Sequence, residues 1–217
     1  MFITLEGLDF SGKSTQAKLL VEKLQSLERQ DGHTCVHVLR EPGGTAISEQ
    51  IREILLDKAS DGLTPTAEIL LFSASRTQLV SEVILPALER GEIVVCDRFF
   101  DSTTAYQGYG RGLDLPTLRT ILRFATGGLQ PELTLYLDIT AEEGLRRRAQ
   151  ASHEGAEWNR LDAESVEFHR RVVAGYRALI AEDPARWVVI PAAGDRETIQ
   201  TQLRAAVLAH LSASNSL

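Results

Sequence analysis

Gly7-Leu8-Asp9-Phe10-Ser11-Gly12-Lys13-Ser14 decides the fold of this chain, because its spacing is G-x-x-x-x-G-K-[ST]. The glycines let the backbone curl tightly, so that consecutive N–H groups and the positive end of a following helix point at phosphate oxygens. Lys13 is expected to reach the β and γ phosphates and Ser14 to coordinate Mg²⁺, which makes the stretch from Gly7 to Thr15 an ATP cradle. Such a loop needs a strand before it and a helix after it. Phe2-Ile3-Thr4-Leu5-Glu6 is a short apolar run with β-branched residues, read as a buried strand. Ala17, Leu20, Val21, Leu24 and Leu27 then recur at helical spacing.

Working outward, 217 residues that are 43% hydrophobic and 24% charged fit one α/β domain with a sizeable core and exclude a largely disordered chain. The formal net charge of −7 argues against a nucleic acid polymer as the main ligand, since that affinity comes largely from clustered Lys and Arg. Cys35 and Cys96 lie in apolar runs without metal-ligand spacing and are expected to be buried free thiols in a reducing compartment. The five histidines form no ligand motif. No apolar run reaches membrane-spanning length and no basic lead precedes the first strand, so a cytoplasmic protein is expected.

Further strands are read at 34–40, 92–97, 133–138 and 187–190, the last two each followed by a helical pattern. Strands alternating with helices imply right-handed crossovers and a parallel sheet. Helices are read over 48–56, bearing Arg52, and over 66–90, interrupted at Pro86. Glu41-Pro42-Gly43-Gly44-Thr45 breaks the second strand where ligand-binding loops collect, outside the carboxyl ends of the strands. Asp97 ends the third strand where a Walker-B acid would support Mg²⁺, its alternative being a helix cap or loop bond. Nothing in the composition divides the chain, so residues 1–211 are read as a single domain and the small polar residues 212–217 as a fraying tail. Between the fourth and fifth strands, Arg146-Arg147-Arg148 is followed by an irregular stretch and Arg160. A solvated helix face would explain the triple arginine, but a flap over about 142–162 that brings arginine to the transferring phosphoryl group is favoured.

Four stretches together resemble the thymidylate kinases in their bacterial form: Gly7 to Thr15; Arg40-Glu41-Pro42-Gly43-Gly44-Thr45; Leu71-Phe72-Ser73-Ala74-Ser75-Arg76; and Asp97-Arg98-Phe99 running on to Ala105-Tyr106-Gln107-Gly108-Tyr109-Gly110-Arg111-Gly112. A fifth, Asn159-Arg160-Leu161-Asp162-Ala163-Glu164 with Phe168, His169 and Tyr176 beyond it, resembles the segment that closes that family's lid. The resemblance implies the P-loop nucleoside monophosphate kinase fold, a five-stranded parallel sheet flanked by helices on both faces, usually as a homodimer. It implies phosphorylation of dTMP to dTDP by MgATP, for dTTP synthesis.

In the family, the residue matching Phe72 stacks on thymine and the one matching Arg76 bonds a base carbonyl. Those matching Ser102, Thr103 and Gln107 approach the base, and that matching Tyr106 crowds the sugar 2′ position. Those matching Arg52 and Arg98 hold the acceptor phosphate, while Asp9 and Glu41 match acids near the sugar and phosphates. Plainer roles compete: core packing for Phe72, Tyr106 and Tyr109, and an ordinary exposed helix position for Arg52. The loop carries Phe10 and Ser11 where the eukaryotic type places an arginine, so the missing charge is assigned to the lid, with Arg148 and Arg160 favoured.

The nucleophile in such a reaction is an acceptor phosphate oxygen whose second pKa is about 6, so no general base is needed near neutral pH. No Ser-His-Asp or paired-carboxylate constellation is found, which agrees. The catalytic set is accordingly Lys13, Arg98, Arg148, Arg160 and Asp9, with Ser14 and Asp97 for the metal. Base selectivity is expected from Arg76, Thr103 and Gln107, and adenine contact from the loop at Gly194-Asp195-Arg196. The competing readings are a kinase for another nucleoside monophosphate and a P-loop NTPase switch.

Overall fold

In the computed structural model, which describes residues 1–31, 35–153 and 164–214, the run before the glycine loop is strand β1 (Phe2–Gly7), buried along its whole length. It sits at the centre of a sheet completed by β2 (Val36–Arg40), β3 (Ile93–Asp97), β4 (Leu133–Asp138) and β5 (Trp187–Pro191). The order is β2-β3-β1-β4-β5, and every pairing is parallel. Both faces of the inner strands are covered, which is why these segments read as continuous apolar runs.

Alternation along the strands sorts the core. Ile3, Leu5, Val95 and Leu135 belong to one buried cluster with Leu20, Tyr176 and Leu203, while Phe2, Val94 and Cys96 belong to a second with Leu79, Ile84 and Phe99. The first is covered by α1 (Lys13–Asp31), α8 (Val166–Glu182) and α9 (Arg196–Ser214), the second by α3 (Pro65–Leu79) and α4 (Leu85–Glu89). Helices α2 (Ala46–Leu56) and α6 (Leu115–Thr126) pack outside α3. Helix α7 (Ala141–His153) follows β4, and the short α5 (Phe100–Thr103) follows β3. β1 leads to the β2 edge while β3 leads across to β4, so a crevice opens between the carboxyl ends of β1 and β3.

Three readings change. Pro86 does not interrupt its helix: α3 continues through a π-helical turn, Val80–Ile84, in which the Leu85 N–H bonds the Val80 carbonyl, into α4. The wider turn accommodates a residue with no N–H and a ring facing the preceding turn. Cys35 is exposed, not buried, because it stands just before an edge strand; Cys96, on an inner strand, is buried. Nearby, His37 Nε2 lies 2.7 Å from Glu92 Oε2, and Glu92 is also held by the fork of Arg90. Finally, α9 runs to Ser214, into the stretch read as a tail.

Candidate active site

The crevice is a cavity of about 530 Å³ with the glycine loop at one end. Gly7 has φ 139°, and a Cβ there would stand 2.7 Å from the Leu137 carbonyl, so only glycine lets the loop leave the sheet this close to β4. Phe10, at φ 62°, takes a left-handed conformation unusual for a side chain of its size. Lys13 opens α1, and its Nζ donates to the Leu8 carbonyl at 2.6 Å and to Ser11 Oγ at 3.4 Å. Burial, and then the nearby Arg98 guanidinium, bring its pKa down to about 8. Thr15, Gly12 and Ser14 line the cavity, and the Ser14 hydroxyl donates to Asp97 Oδ2. Asp97 Oδ1 is buried and has no hydrogen-bond partner among the described residues. A hydroxyl beside a carboxylate oxygen with an open valence is a donor set that suits a hard divalent cation such as Mg²⁺.

Arg98 stands where the loop meets β3. Its φ is 73°, and its N–H is tied to the Leu5 carbonyl at 3.0 Å. The guanidinium donates to Asp9 Oδ1 at 2.6 Å, Ser102 Oγ at 2.8 Å and Tyr106 Oη at 3.2 Å, and lies 4.9 Å from the Tyr106 ring centroid. Tyr106 donates in turn to Asp9 Oδ2 at 2.9 Å. Burial opposes ionisation of Asp9, but Arg98 and Lys13 overcome it and hold the carboxyl well below its usual range. Burial works equally against the Arg98 cation, and Asp9 overcomes it, so Arg98 stays charged.

The far end is built from side chains of three segments. Arg76, 2% exposed, donates through Nε to Glu41 Oε2 at 2.7 Å and through Nη2 to Thr103 Oγ1 at 3.0 Å. Among the described residues Arg76 Nη1 and Glu41 Oε1 are buried without hydrogen-bond partners, a donor and an acceptor left over at one wall. Burial raises the Glu41 pKa while Arg76 lowers it, with a net rise. Phe72, Gln107 and Arg52 also line the cavity, and Arg52 Nη1 donates to the Pro42 carbonyl at 2.8 Å.

The triple arginine divides. Arg146 and Arg147 both bond Glu143, and Arg147 also donates to the Ala192 carbonyl at 2.8 Å. Arg148 instead lines a small recess with Leu8, Asp9 and Phe10, against the glycine loop. Arg160 lies outside the described residues, as does most of the stretch after α7. Asp195 caps α9 by accepting from the Glu197 and Thr198 N–H groups at 3.0 and 2.9 Å, so its carboxylate is already committed.

Two acids were not singled out from sequence. Glu6, fully buried in β1, accepts from the Phe99 N–H at 2.8 Å, Ser102 Oγ at 2.5 Å and Tyr176 Oη at 2.9 Å. An acid inside an otherwise apolar strand was the available signal. Glu68, 1% exposed, bonds Gln107 and Arg111. Its spacing of four and eight residues from Phe72 and Arg76 puts the three on one helix face.

A family model described as thymidylate kinase matches residues 5–203. Among curated relatives, the thymidylate kinase of Roseiflexus castenholzii is 53% identical over 97% of this chain and 94% of that protein. The thymidylate kinase of a second Roseiflexus species is 52% identical over 100% of this chain and 97% of that protein. Among solved structures, the thymidylate kinase of Ehrlichia chaffeensis superposes with a TM-score of 0.76 at 30% identity, covering 95% of this chain and 98% of that one.

Proposed function

This chain belongs to the thymidylate kinase family, and from that premise we propose which residues carry the transfer of the ATP γ-phosphate to dTMP, giving dTDP and ADP. The observation that supports the assignment is a single cavity with a phosphate loop at one end and the buried Arg76–Glu41 pair at the other. Donor and acceptor sites face each other across Arg98, the distance that phosphoryl transfer must close.

At the donor end, residues from Gly7 to Thr15 cradle the triphosphate and Lys13 neutralises its outer charge. Ser14 and Asp97 would hold Mg²⁺, which when bound would offset phosphate charge. Arg98 and Arg52 hold the acceptor phosphate, and Asp9 keeps Arg98 aimed. The acceptor phosphate is mostly a dianion at neutral pH, its second pKa being about 6, so no proton need be removed before attack. Arg148, which lines the recess against the loop, supplies the further charge, and Arg160, outside the described residues, is assigned the same role. Phe72 stacks on the base, Arg76, Ser102, Thr103 and Gln107 read it, and Tyr106 and Glu41 border the sugar.

The protein works in the cytoplasm as a homodimer on this reading. No described helix is long and apolar enough to cross a membrane. Ile47, Ile54, Leu70 and Phe124, the last 88% exposed, are exposed apolar residues of α2, α3 and α6, helices that pack through α3, and they are assigned here to the contact with a second copy. A Phe124→Asp variant that sediments at the same mass as the parent would remove that face from the interface.

The test of the reaction is ADP formation with MgATP against dTMP, dUMP, dCMP, dGMP and AMP, beside a control without acceptor. Fast turnover with dTMP and weak turnover with dUMP alone supports the assignment. ADP released equally without acceptor would point to an NTPase.

A further inference from the structure

Glu68 is not part of the cavity wall, yet it decides what one wall residue presents to a ligand. Its Oε1 accepts from Gln107 Nε2 at 3.0 Å and from Arg111 Nε at 3.0 Å. Arg111 Nη1 also reaches Glu164 Oε1 at 2.9 Å, so the guanidinium is clamped between two carboxylates. A guanidinium N–H can only donate, so the Glu68 oxygen that receives Arg111 Nε is an acceptor, and it is the same oxygen that faces Gln107. The amide NH₂ of Gln107 must therefore face Glu68. Gln107 lines the cavity and is 3% exposed, and the atom left for the cavity is its carbonyl oxygen, an acceptor. At the same end, Arg76 Nη1 is a buried donor without a hydrogen-bond partner among the described residues.

We propose that Glu68 is a specificity-determining positioning residue: by locking the Gln107 amide with its oxygen toward the cavity, it makes the pocket read a pyrimidine with a ring N–H flanked by carbonyls and refuse one with a ring lone pair beside an amino group. Thymine and uracil offer a donor at ring nitrogen 3 with carbonyls on either side, matching an acceptor from Gln107 and a donor from Arg76. Cytosine carries a lone pair at that nitrogen and an amino group beside it, and would set lone pair against lone pair. A buried polar group left unpaired by the wrong ligand discriminates far more strongly than a missing methyl. The inference rests on the dTMP kinase reading above and goes beyond it by placing the origin of discrimination one layer behind the pocket.

Glu68→Gln keeps the shape but lets both amides turn over, since either can then donate or accept. The ratio of kcat/KM for dTMP over dCMP is expected to fall at least ~10-fold, with KM for dTMP raised and kcat little changed. In a double-mutant cycle with Gln107→Leu, the two changes in that ratio should not add. A folded Glu68→Gln protein with an unchanged ratio, or one whose kcat falls in parallel for both acceptors, overturns the proposal. Should that variant not fold, the side-chain amide protons of Gln107 in the parent protein decide by ¹⁵N-edited NMR with dTMP bound. Contacts from those protons to the base overturn the proposal, and their absence with slow solvent exchange supports it. A parent protein that fails to phosphorylate dTMP at all would instead remove the kinase reading, which the same assay reports separately.

Discussion

The two ends of the cavity are built by opposite means. The donor end is one contiguous loop in which backbone geometry does the positioning: Gly7 at φ 139°, Phe10 at φ 62° and Gly12 at φ 97° set the course of the chain, and Lys13 follows directly. The acceptor end is held by ion pairs between segments far apart in sequence, Glu41 with Arg76 and Glu68 with Arg111, while Asp9 of the loop reaches across to Arg98. A loop made of local conformations can form wherever a strand and a helix flank it. Charges buried from several directions hold only while every partner is in place, and removing one leaves the other uncompensated. The two ends therefore fail differently when altered.

The sharpest way to break that comparison is to substitute one residue from each end. Lys13→Ala and Arg98→Ala are each expected to lower kcat by at least ~100-fold, since each removes a charge from the transferring group. They should part in equilibrium binding. Lys13→Ala leaves dTMP affinity near that of the parent, whereas Arg98→Ala weakens it and loosens Asp9 and Tyr106 as well. Calorimetric titration of dTMP into both variants checks this, and equal losses would mean that the two ends act as one unit.

Acceptor choice gives the next largest effect. The dTMP over dUMP preference rests on one methyl group, worth about 1–3 kcal/mol, so dUMP should turn over with kcat/KM some ~10–200-fold lower. Refusal of dUMP as complete as that of dCMP would show that hydrogen-bond reading does not govern the acceptor end.

The donor end also titrates on its own. With the Lys13 pKa brought down to about 8 by burial and by Arg98, the free enzyme loses this charge as pH rises through that value. Since kcat/KM reports the free enzyme, its value for ATP should fall by approaching ~tenfold per unit above pH 8, while kcat, measured with the phosphates bound, holds to higher pH. In Lys13→Arg the guanidinium does not titrate, and any remaining activity should lose this limb. A parent profile flat to pH 9.5 would contradict it.

The same contrast explains what was legible in the sequence. The strand-loop-helix unit and all five strands follow from local pattern, because apolar runs buried on both faces and a glycine spacing with fixed chemistry are read without knowing the tertiary fold. At the acceptor end, Glu41 was read locally only as part of a loop that collects ligands and Arg76 only through resemblance, since nothing local says that residues thirty-five apart will pair at 2.7 Å. Glu68 was overlooked although its helical spacing from Phe72 and Arg76 was on view, because an acid in the first turn of a helix usually serves the helix dipole and faces solvent. Pro86 misled for a related reason: the π turn that absorbs it is a tertiary adjustment with no sequence signature of its own.

Glu6 is where the two ends join, and it yields the smallest and most diagnostic effect. It precedes the glycine loop on β1, yet its carboxyl holds the Phe99 N–H and the Ser102 hydroxyl, which in turn receives Arg98. Burial first, and then the nearby Asp101, raise its pKa from 4.5 to about 7. Because the folded value lies above the unfolded one, the folded state holds the proton more tightly. The stabilisation is complete below about 4.5 and is lost as pH rises through about 7. In the absence of nucleotides, the Tm of the parent protein should fall between pH 5 and pH 8 by on the order of 5 °C relative to Glu6→Gln, which has no proton to lose there and can still engage both hydroxyls. Calorimetric scans of the pair across that range check it. Parallel curves would mean that Glu6 is ionised throughout, so that the joint between the ends is a charge-assisted bond. Diverging curves would mean that the join is strongest when neutral, which ties the rigidity of the Arg98 mount to a proton held on a different strand.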